Sequence, residues 1–485
     1  MSYTSVKGDV KFTHKGTVFY CDSAVLAKKT NYLEAYGNVR IIDDSVTITS
    51  GRLKYDGNNR IAQLRSNVVL TKLNQLQIFT DFLDYDRNTG IATYFNNGKV
   101  VDSTNVLNSV KGYYNSVTNM ASFKTDVVGK NDDYTLTSDT LVYDTYTGAI
   151  YFVAPTSLTD NENNVFQYEG GKYNSKQKQS DFALGRVETE DYFIAGDNMR
   201  LDDVSGIYAV SQNVTMYGKE NKVIITGHGA IHDRRKNITK IFDSPLMKMV
   251  AENDTLFVSA DTLVSMDSPV ASRKRLLAYS NVKIYKRDIQ GVADSLVYKV
   301  ADSTLFMYGA PVLWSDGNQM SADSVSMLVS NSALDKMDMN NNAFVITKDS
   351  SDNFNQIKGR NLTARFKNQE LSEVFVSGNG ESIFFMYSED SGELMGMNKI
   401  LCSDIGLYFE NQTLTDASFL GNPEGSFIPP LVLTPEDQQL SGFVWREKER
   451  PDKESVVAGS PQAVLPDRPP GELSIPNNSL LQQKK

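Results

Sequence analysis

Apolar and polar residues alternate along most of this chain, and turn-forming residues interrupt the alternation at short intervals. In Val46-Thr47-Ile48-Thr49 and in Leu53-Lys54-Tyr55-Asp56 every second side chain is apolar, which is the pattern of a β-strand with one buried face. Pairs such as Asp56-Gly57 and Thr147-Gly148 follow such segments and suit tight hairpin turns. No segment keeps a period of 3.6 over the length of a helix, so the pattern predicts an all-β protein.

The strand pattern itself repeats with a period of about 29 residues. One marker is an Asp followed four residues later by a large apolar or aromatic residue, as in Asp81 to Tyr85. A second marker, Gly8-Asp9-Val10, returns in the same phase as Gly37-Asn38-Val39. A unit of this size cannot bury its apolar face alone, so we expect roughly 13 units to stack along one axis. The predicted fold is an elongated β-jellyroll, or stack of antiparallel β repeats, that is open at both ends.

The repeats predict how the chain is divided. They cover residues 1–421, and their spacing becomes irregular after Ile231, which indicates a boundary between two parts of the stack near residues 233–255. From residue 422 the composition changes, because ten of the 14 prolines follow that point. We therefore predict residues 422–485 to be a Pro-rich, disordered tail.

Composition and charge narrow the classes of function. Hydrophobic residues make up 40% of the chain, with 24 Tyr and 23 Phe, which is enough for a packed core and favours strands. The formal net charge is −10, whereas proteins that bind nucleic acid present a basic face. We therefore expect no nucleic acid among the partners.

Residue types suited to catalysis or metal binding are sparse. His228 and His232 are four residues apart in a strand-like segment, where they would lie about 13 Å from each other. Cys21 and Cys402 form no disulfide or metal pattern, and paired carboxylates such as Asp43-Asp44 are interpreted as solvated turn residues. No nucleophile, phosphate-loop or zinc motif occurs. The sequence predicts no catalytic residues, no metal and no cofactor.

Two segments resemble the repeat of OstA-like proteins, the family that includes the LptA bridge. They are Asp81-Phe82-Leu83-Asp84-Tyr85-Asp86-Arg87-Asn88-Thr89-Gly90 and the related segment that runs from Ser138 to Gly148. The segment from Asp254 to Leu263 is similar to larger, Bacteroidetes-type members. The resemblance covers about residues 6–421.

The resemblance implies a periplasmic, non-enzymatic transport protein, from which a signal segment has been removed or is missing in this sequence. It implies a β-jellyroll whose interior shelters the acyl chains of lipopolysaccharide on the way from the inner to the outer membrane. The expected partners are lipopolysaccharide and other transport components of the same fold, with head-to-tail self-association. The expected lipid-binding residues on the interior face are Val39, Ile41, Val46, Ile48, Leu53, Tyr55, Leu83, Tyr85, Leu141 and Tyr143.

The N-terminal edge is expected to serve in docking, because an unpaired strand can accept a neighbouring strand. Its candidate residues are Val6, Gly8 and Val10. Two other classes remain open: a structural or adhesin-like β repeat protein without a lipid ligand, and a solenoid enzyme acting on carbohydrate.

Overall fold

The computed structural model describes residues 3–72, 75–190, 192–219, 222–250, 254–330, 333–367, 370–388, 390–411 and 413–466. Within these ranges 36 strands join in one sheet. The described residues contain one α-helix, Lys453–Val457, and three short 3-10 turns. The prediction of an all-β fold without a long helix is confirmed.

The strands of the N-terminal half are β1 (Tyr3–His14), β2 (Thr17–Ala27), β3 (Tyr32–Asp43), β4 (Val46–Asp56), β5 (Ile61–Lys72), β6 (Leu76–Asp86), β7 (Ile91–Tyr94), β8 (Gly98–Val101), β9 (Val106–Ser109), β10 (Lys111–Asn115), β11 (Met120–Lys130), β12 (Tyr134–Asp144), β13 (Ala149–Phe152), β14 (Thr156–Asp160), β15 (Val165–Tyr168), β16 (Gly170–Asn174), β17 (Gln179–Glu188) and β18 (Tyr192–Asp202).

The strands of the C-terminal half are β19 (Ile207–Gly218), β20 (Val223–Asp233), β21 (Ile238–Phe242), β22 (Leu246–Val250), β23 (Thr255–Ser259), β24 (Thr262–Met266), β25 (Arg275–Tyr285), β26 (Gln290–Lys299), β27 (Thr304–Tyr308), β28 (Val312–Ser315), β29 (Asn318–Ser321), β30 (Ser324–Ser330), β31 (Ala333–Lys348), β32 (Phe354–Lys367), β33 (Glu370–Tyr387), β34 (Leu394–Glu410), β35 (Thr413–Leu420) and β36 (Glu424–Ile428).

Most of the long strands bend near the middle, at the second sequence marker. In β5, Ser66 and Asn67 have φ angles of 69° and 48°, and the pairing with β6 shifts register between Arg65 and Val68. Asn adopts this left-handed conformation more readily than most residues, and an extra residue of this kind makes a β-bulge that bends the strand. The Gly-Asn-Val and Ser-Asn-Val markers are therefore bends, repeated in successive strands.

The bends divide the sheet into two parts, which we call leaf 1 and leaf 2. Strand β6 makes the division plain, because its first half pairs with β8 and its second half with β7. Leaf 1 contains the strand halves that end at turns such as 14–17, 43–46 and 101–106. Leaf 2 contains those that end at turns such as 27–32, 56–61 and 86–91. The two leaves fold onto each other about the line of bends.

The core lies between the leaves and runs along the whole stack. One cluster of buried side chains extends from Phe19 to Met199, a second extends from Val214 to Leu407, and Val210 packs against both. Strand pairing continues without a break through the segment in which a boundary was predicted, from β20 to β25. The predicted boundary near residues 233–255 stays a prediction.

The chain beyond residue 422 corrects the predicted start of the tail. Strand β36 pairs with β34, and after a short connector the segment 433–466, which we call the strap, runs back along the body. Leu440 and Val456 of the strap are buried at 3% and 1% exposure. Residues 424–466 are thus part of the folded structure, whereas the rest of the predicted tail, 467–485, lies outside the described residues.

Candidate functional site

The structure brings together all ten residues predicted to line the interior. Each is at most 6% exposed, and all belong to the N-terminal core cluster. Leaf 1 contributes Val39, Ile41, Val46 and Ile48, and leaf 2 contributes the other six. The interior is therefore an apolar surface to which both leaves contribute.

The bend decides which side chains of one strand point inward. In β4, Val46 and Ile48 face the core before the bend, and Leu53 and Tyr55 face it after the bend. The register shift between Thr49 and Arg52 restores the inward direction, which a continuous alternation would have lost. One strand thus lines both walls of the interior.

The free tips of the two leaves meet along a line that we call the seam. Four tyrosines at the leaf 2 tips hydrogen-bond to residues at the leaf 1 tips. The pairs are Tyr55 Oη with His14 Nδ1 (2.9 Å), Tyr85 Oη donating to Asp43 Oδ2 (3.2 Å), Tyr114 Oη to Gln75 Oε1 (3.2 Å) and Tyr143 Oη to Asp102 Oδ2 (2.6 Å). Tyr85 and Tyr143 follow Asp81 and Asp139 by four residues, as in the first sequence marker, and Tyr55 and Tyr114 lie at the same phase of the repeat. This repeat position therefore closes the seam in four successive units.

An ion pair reinforces the seam at the N-terminal end. Arg87, in a leaf 2 turn, places Nη2 3.1 Å from Asp43 Oδ1 and also donates to the backbone carbonyls of His14 and Lys15. The side chains of Arg87 and Asp43 are 6% and 18% exposed. The interpretation of Asp43 as a solvated turn residue was therefore wrong, because Thr17, Tyr85 and Arg87 all hydrogen-bond to its carboxylate.

Burial and these hydrogen bonds act in opposite directions on the charge of Asp43. Burial alone would raise its pKa, but the hydrogen bonds from Arg87 and Thr17 outweigh burial and lower the pKa. Burial, followed by the charge of Asp43, raises the pKa of Tyr85 to about 12. Asp43 is thus a stable anion near pH 7, and Tyr85 remains a neutral donor.

A small cavity lies between the leaves beside the Tyr143–Asp102 contact. Asn105, Leu107, Tyr134, Leu141 and Tyr143 are among its lining residues, and its volume is about 10 Å³. That volume holds about one water molecule, whereas an acyl chain is far larger. Admission of lipid to this part of the interior requires the leaves to separate.

The predicted docking residues lie on the edge strand at the N-terminal end. Strand β1 pairs with β2 alone among the described strands, and its register shifts between Lys7 and Val10. Val6 is 42% exposed, Gly8 occupies the bend at a φ of 82°, and Val10 packs against the core. The role of these residues in docking stays a prediction.

The histidines and cysteines have separate surroundings. His228 Nε2 lies 3.1 Å from the Gly459 carbonyl oxygen, and His232 Nδ1 lies 3.0 Å from Thr239 Oγ1. Cys21 and Cys402 are free thiols. Within the described ranges, no three His, Cys, Asp or Glu residues are grouped to hold a metal ion, and no helix has the length and apolar character to cross a membrane.

The fold defines the class of protein: an antiparallel β-jellyroll made of two leaves with a continuous apolar interior. Comparison with known families is more specific, because residues 2–139 match the OstA-like protein family. The match supports, for these residues, the resemblance to OstA-like proteins that the sequence markers indicated.

Two further comparisons concern solved structures and curated proteins. A similar solved structure is LptH from Pseudomonas aeruginosa, the LptA-homologous periplasmic component of the lipopolysaccharide transport device. The two chains are 14% identical, with a TM-score of 0.21, over 24% of this chain and 82% of LptH. Among curated proteins, none matches this sequence.

Proposed function

We propose that this protein is a non-enzymatic carrier of lipopolysaccharide, which shelters the acyl chains between its two leaves and forms part of a bridge between the inner and outer membranes. The observation that carries the proposal is the apolar interior between the leaves, whose two core clusters, from Phe19 to Met199 and from Val214 to Leu407, meet at Val210. The match of residues 2–139 to OstA-like proteins supports lipopolysaccharide as the ligand.

The physical basis of binding is the exchange of contacts inside the interior. Each methylene group of an acyl chain that leaves water contributes about 0.8 kcal/mol. The leaves must separate to admit the chain, and this costs the packing between them and the hydrogen bonds of the seam. The sugars of the ligand stay at the seam, where the leaf tips meet solvent.

The location and partners of the protein belong to the same proposal. We propose that it works in the periplasm and joins jellyrolls of the same fold end to end. The unpaired edge of β1, with Val6, Gly8 and Val10, would accept a strand from the next jellyroll through main-chain hydrogen bonds.

A second candidate function is a structural β protein without a lipid ligand. The observation that favours it is the closely filled interior, where Ile48, Leu53 and Leu83 have no exposed surface. A structural role would leave the seam permanently closed, whereas the carrier requires it to open.

Cross-linking the seam distinguishes the two functions. Asp102 and Tyr143 are changed to Cys in a C21A/C402A background and joined by a short bismaleimide. Binding of fluorescent lipopolysaccharide is then measured before and after cross-linking. The carrier predicts saturable binding that the cross-link abolishes.

The control joins two residues of the same leaf. Tyr113 of β10 and Lys124 of β11 are neighbours across these two strands of leaf 2, with Lys124 Nζ 5.7 Å from the centre of the Tyr113 ring, so a cross-link between Cys residues at these positions leaves the seam free. If neither protein binds lipopolysaccharide before cross-linking, the carrier proposal fails and the structural role stands.

A further inference from the structure

Leaf 1 of the C-terminal half is buried on both faces. Alternate residues of a strand point to opposite faces, and Leu313 and Val345 belong to the core between the leaves. Their neighbours Trp314 and Ile346 point away from that core, yet they are 1% and 0% exposed. A third cluster covers this outer face, and it contains Phe344, Ile346, Ile383, Phe385, Met397 and Leu440 of the strap.

The strap lies in a groove along this outer face, and two glutamines hold its backbone. Gln319 Nε2 donates to the Val444 carbonyl at 2.7 Å, and its Oε1 accepts from the Arg446 N–H at 2.6 Å. Gln356 Nε2 likewise donates to the Gln438 carbonyl at 2.7 Å, and its Oε1 accepts from the Leu440 N–H at 2.8 Å. Each side-chain amide therefore satisfies one donor and one acceptor of the strap, as a neighbouring strand would.

The strap crosses successive strands in order, toward the middle of the chain. Its further contacts are Arg450 Nε donating to Gln290 Oε1 (2.8 Å), Lys453 Nζ over the ring of Phe257 (5.0 Å), the Gly459 carbonyl with His228 Nε2 (3.1 Å) and the Val464 N–H donating to Thr215 Oγ1 (3.0 Å). The groove therefore recognises one extended segment through its backbone and a few anchors.

The connection between the strap and the body is exposed. Residues 429–432 link β36 to the strap, and Leu431 and Val432 in this connector are 99% and 64% exposed. Pro429 has an extended backbone, and Pro430–Val432 form a single 3-10 turn. The strap is thus a ligand of the groove that is attached by a short connector with little packing of its own.

We propose that the groove is an interaction surface for a second copy of this chain, which binds there through its own strap. The groove–strap contacts are the same whether the strap comes from the same chain or from another, so exchange of straps conserves them. The length of the connector and the protein concentration then determine which arrangement prevails. We take the strap as the ligand of the groove because it is the segment that the groove holds in this structure.

Two single-cysteine variants test the exchange in the full chain. One carries Phe257→Cys in the groove, the other carries Lys453→Cys in the strap, and both are in the C21A/C402A background. The two proteins are mixed, incubated with a short bismaleimide and analysed by denaturing gel electrophoresis. A cross-linked dimer that needs both variants supports exchange, and its proportion should rise with protein concentration.

A third protein that carries both cysteines verifies the geometry. It should form a cross-link within one chain and still migrate as a monomer on the denaturing gel, since the two positions face each other. If this control reacts and the mixture yields no dimer, the strap is a permanent part of the fold and the proposal is overturned. If the control does not react, the seating of the strap is itself contradicted.

A shortened connector provides an independent variant. Deletion of Leu431 and Val432 leaves the groove and the strap intact but reduces the reach of the strap toward its own groove. Short hinges favour exchange between chains, so the mixed cross-link should increase severalfold. An unchanged or smaller proportion of dimer would contradict the proposal.

Discussion

At the scale of single residues, the Asp43–Arg87 pair makes the sharpest prediction about the seam. The substitution Arg87→Met leaves the carboxylate of Asp43 buried without its ion-pair partner. Removal of one partner of a buried pair costs about 3–5 kcal/mol, so the free energy of unfolding should fall by that amount. Urea unfolding followed by circular dichroism measures it.

An exposed ion pair serves as the control. Arg200 Nε lies 3.8 Å from Asp181 Oδ1, with both side chains 69% exposed, so Arg200→Met should cost at most about 0.5 kcal/mol. Equal losses in the two variants would show that the seam pair does not hold the leaves together.

The lowered pKa of Asp43 predicts a dependence on pH. Because the folded-state pKa lies below the unfolded value of about 3.9, the ionised carboxylate contributes stability above that value. This contribution is lost as the pH falls through the folded-state pKa. The difference in unfolding free energy between the wild type and Asp43→Asn should therefore be large at pH 7 and shrink at pH 3. A difference that is constant with pH would contradict the ionic role of Asp43.

The sequence predicts the interior residues better than the seam residues. Val46, Ile48 and Leu53 follow from local alternation, because one face of each strand is apolar. The burial of Asp43 could not be predicted in this way, since its partner Arg87 lies 44 positions away and meets it only when the leaves fold together. One sequence signal could have indicated this role: Asp43 and Asp102, which both accept a hydrogen bond from a seam tyrosine, lie about two repeat periods apart.

At the scale of strands, two glycines make room for a buried tyrosine. A Cβ atom at Gly112 would lie 2.2 Å from Tyr94 Cε1, and one at Gly98 would lie 2.4 Å from Tyr94 Cε2. Tyr94 is 2% exposed and cannot move away freely. Gly112→Ala should therefore destabilise the protein by about 1–3 kcal/mol through overpacking.

Thermal unfolding checks this prediction against Gly425→Ala. The nearest atom to a Cβ at Gly425 is 3.9 Å away, so that variant should unfold close to the wild-type temperature. A Gly112→Ala protein as stable as the Gly425→Ala protein would mean that the leaves adjust more freely than the packed interior implies.

The sequence did not predict two features of the strands and their surroundings, namely the bends and the folded strap. The Gly-Asn-Val repeat identified the period, but that it bends each strand follows only from the backbone angles of residues such as Asn38. The strap was predicted to be disordered because its prolines suggest a linker, and its glutamine partners are distant in sequence. Runs such as Val312-Leu313-Trp314 and Phe344-Val345-Ile346 are the signal that a second face of the sheet is covered.

At the scale of the whole molecule, the two halves differ in what covers leaf 1. In the N-terminal half its outer face meets solvent, and Phe79 and Val128 are 37% and 39% exposed there. In the C-terminal half the strap covers the same face. If the leaves separate to admit lipid, as we propose, we expect separation to begin in the N-terminal half, where no strap has to move and the seam bonds of the four tyrosines are the contacts to be broken.

We propose that lipid binds between the two leaves, and site-specific photocross-linking locates the bound lipid. A benzoylphenylalanine at Ile48 faces the interior, whereas one at the adjacent residue Thr49 faces solvent. After irradiation in the presence of lipopolysaccharide, we expect a lipid adduct from position 48 and little or none from position 49. Equal labelling at both positions, or none at position 48 while the protein is folded, would contradict it.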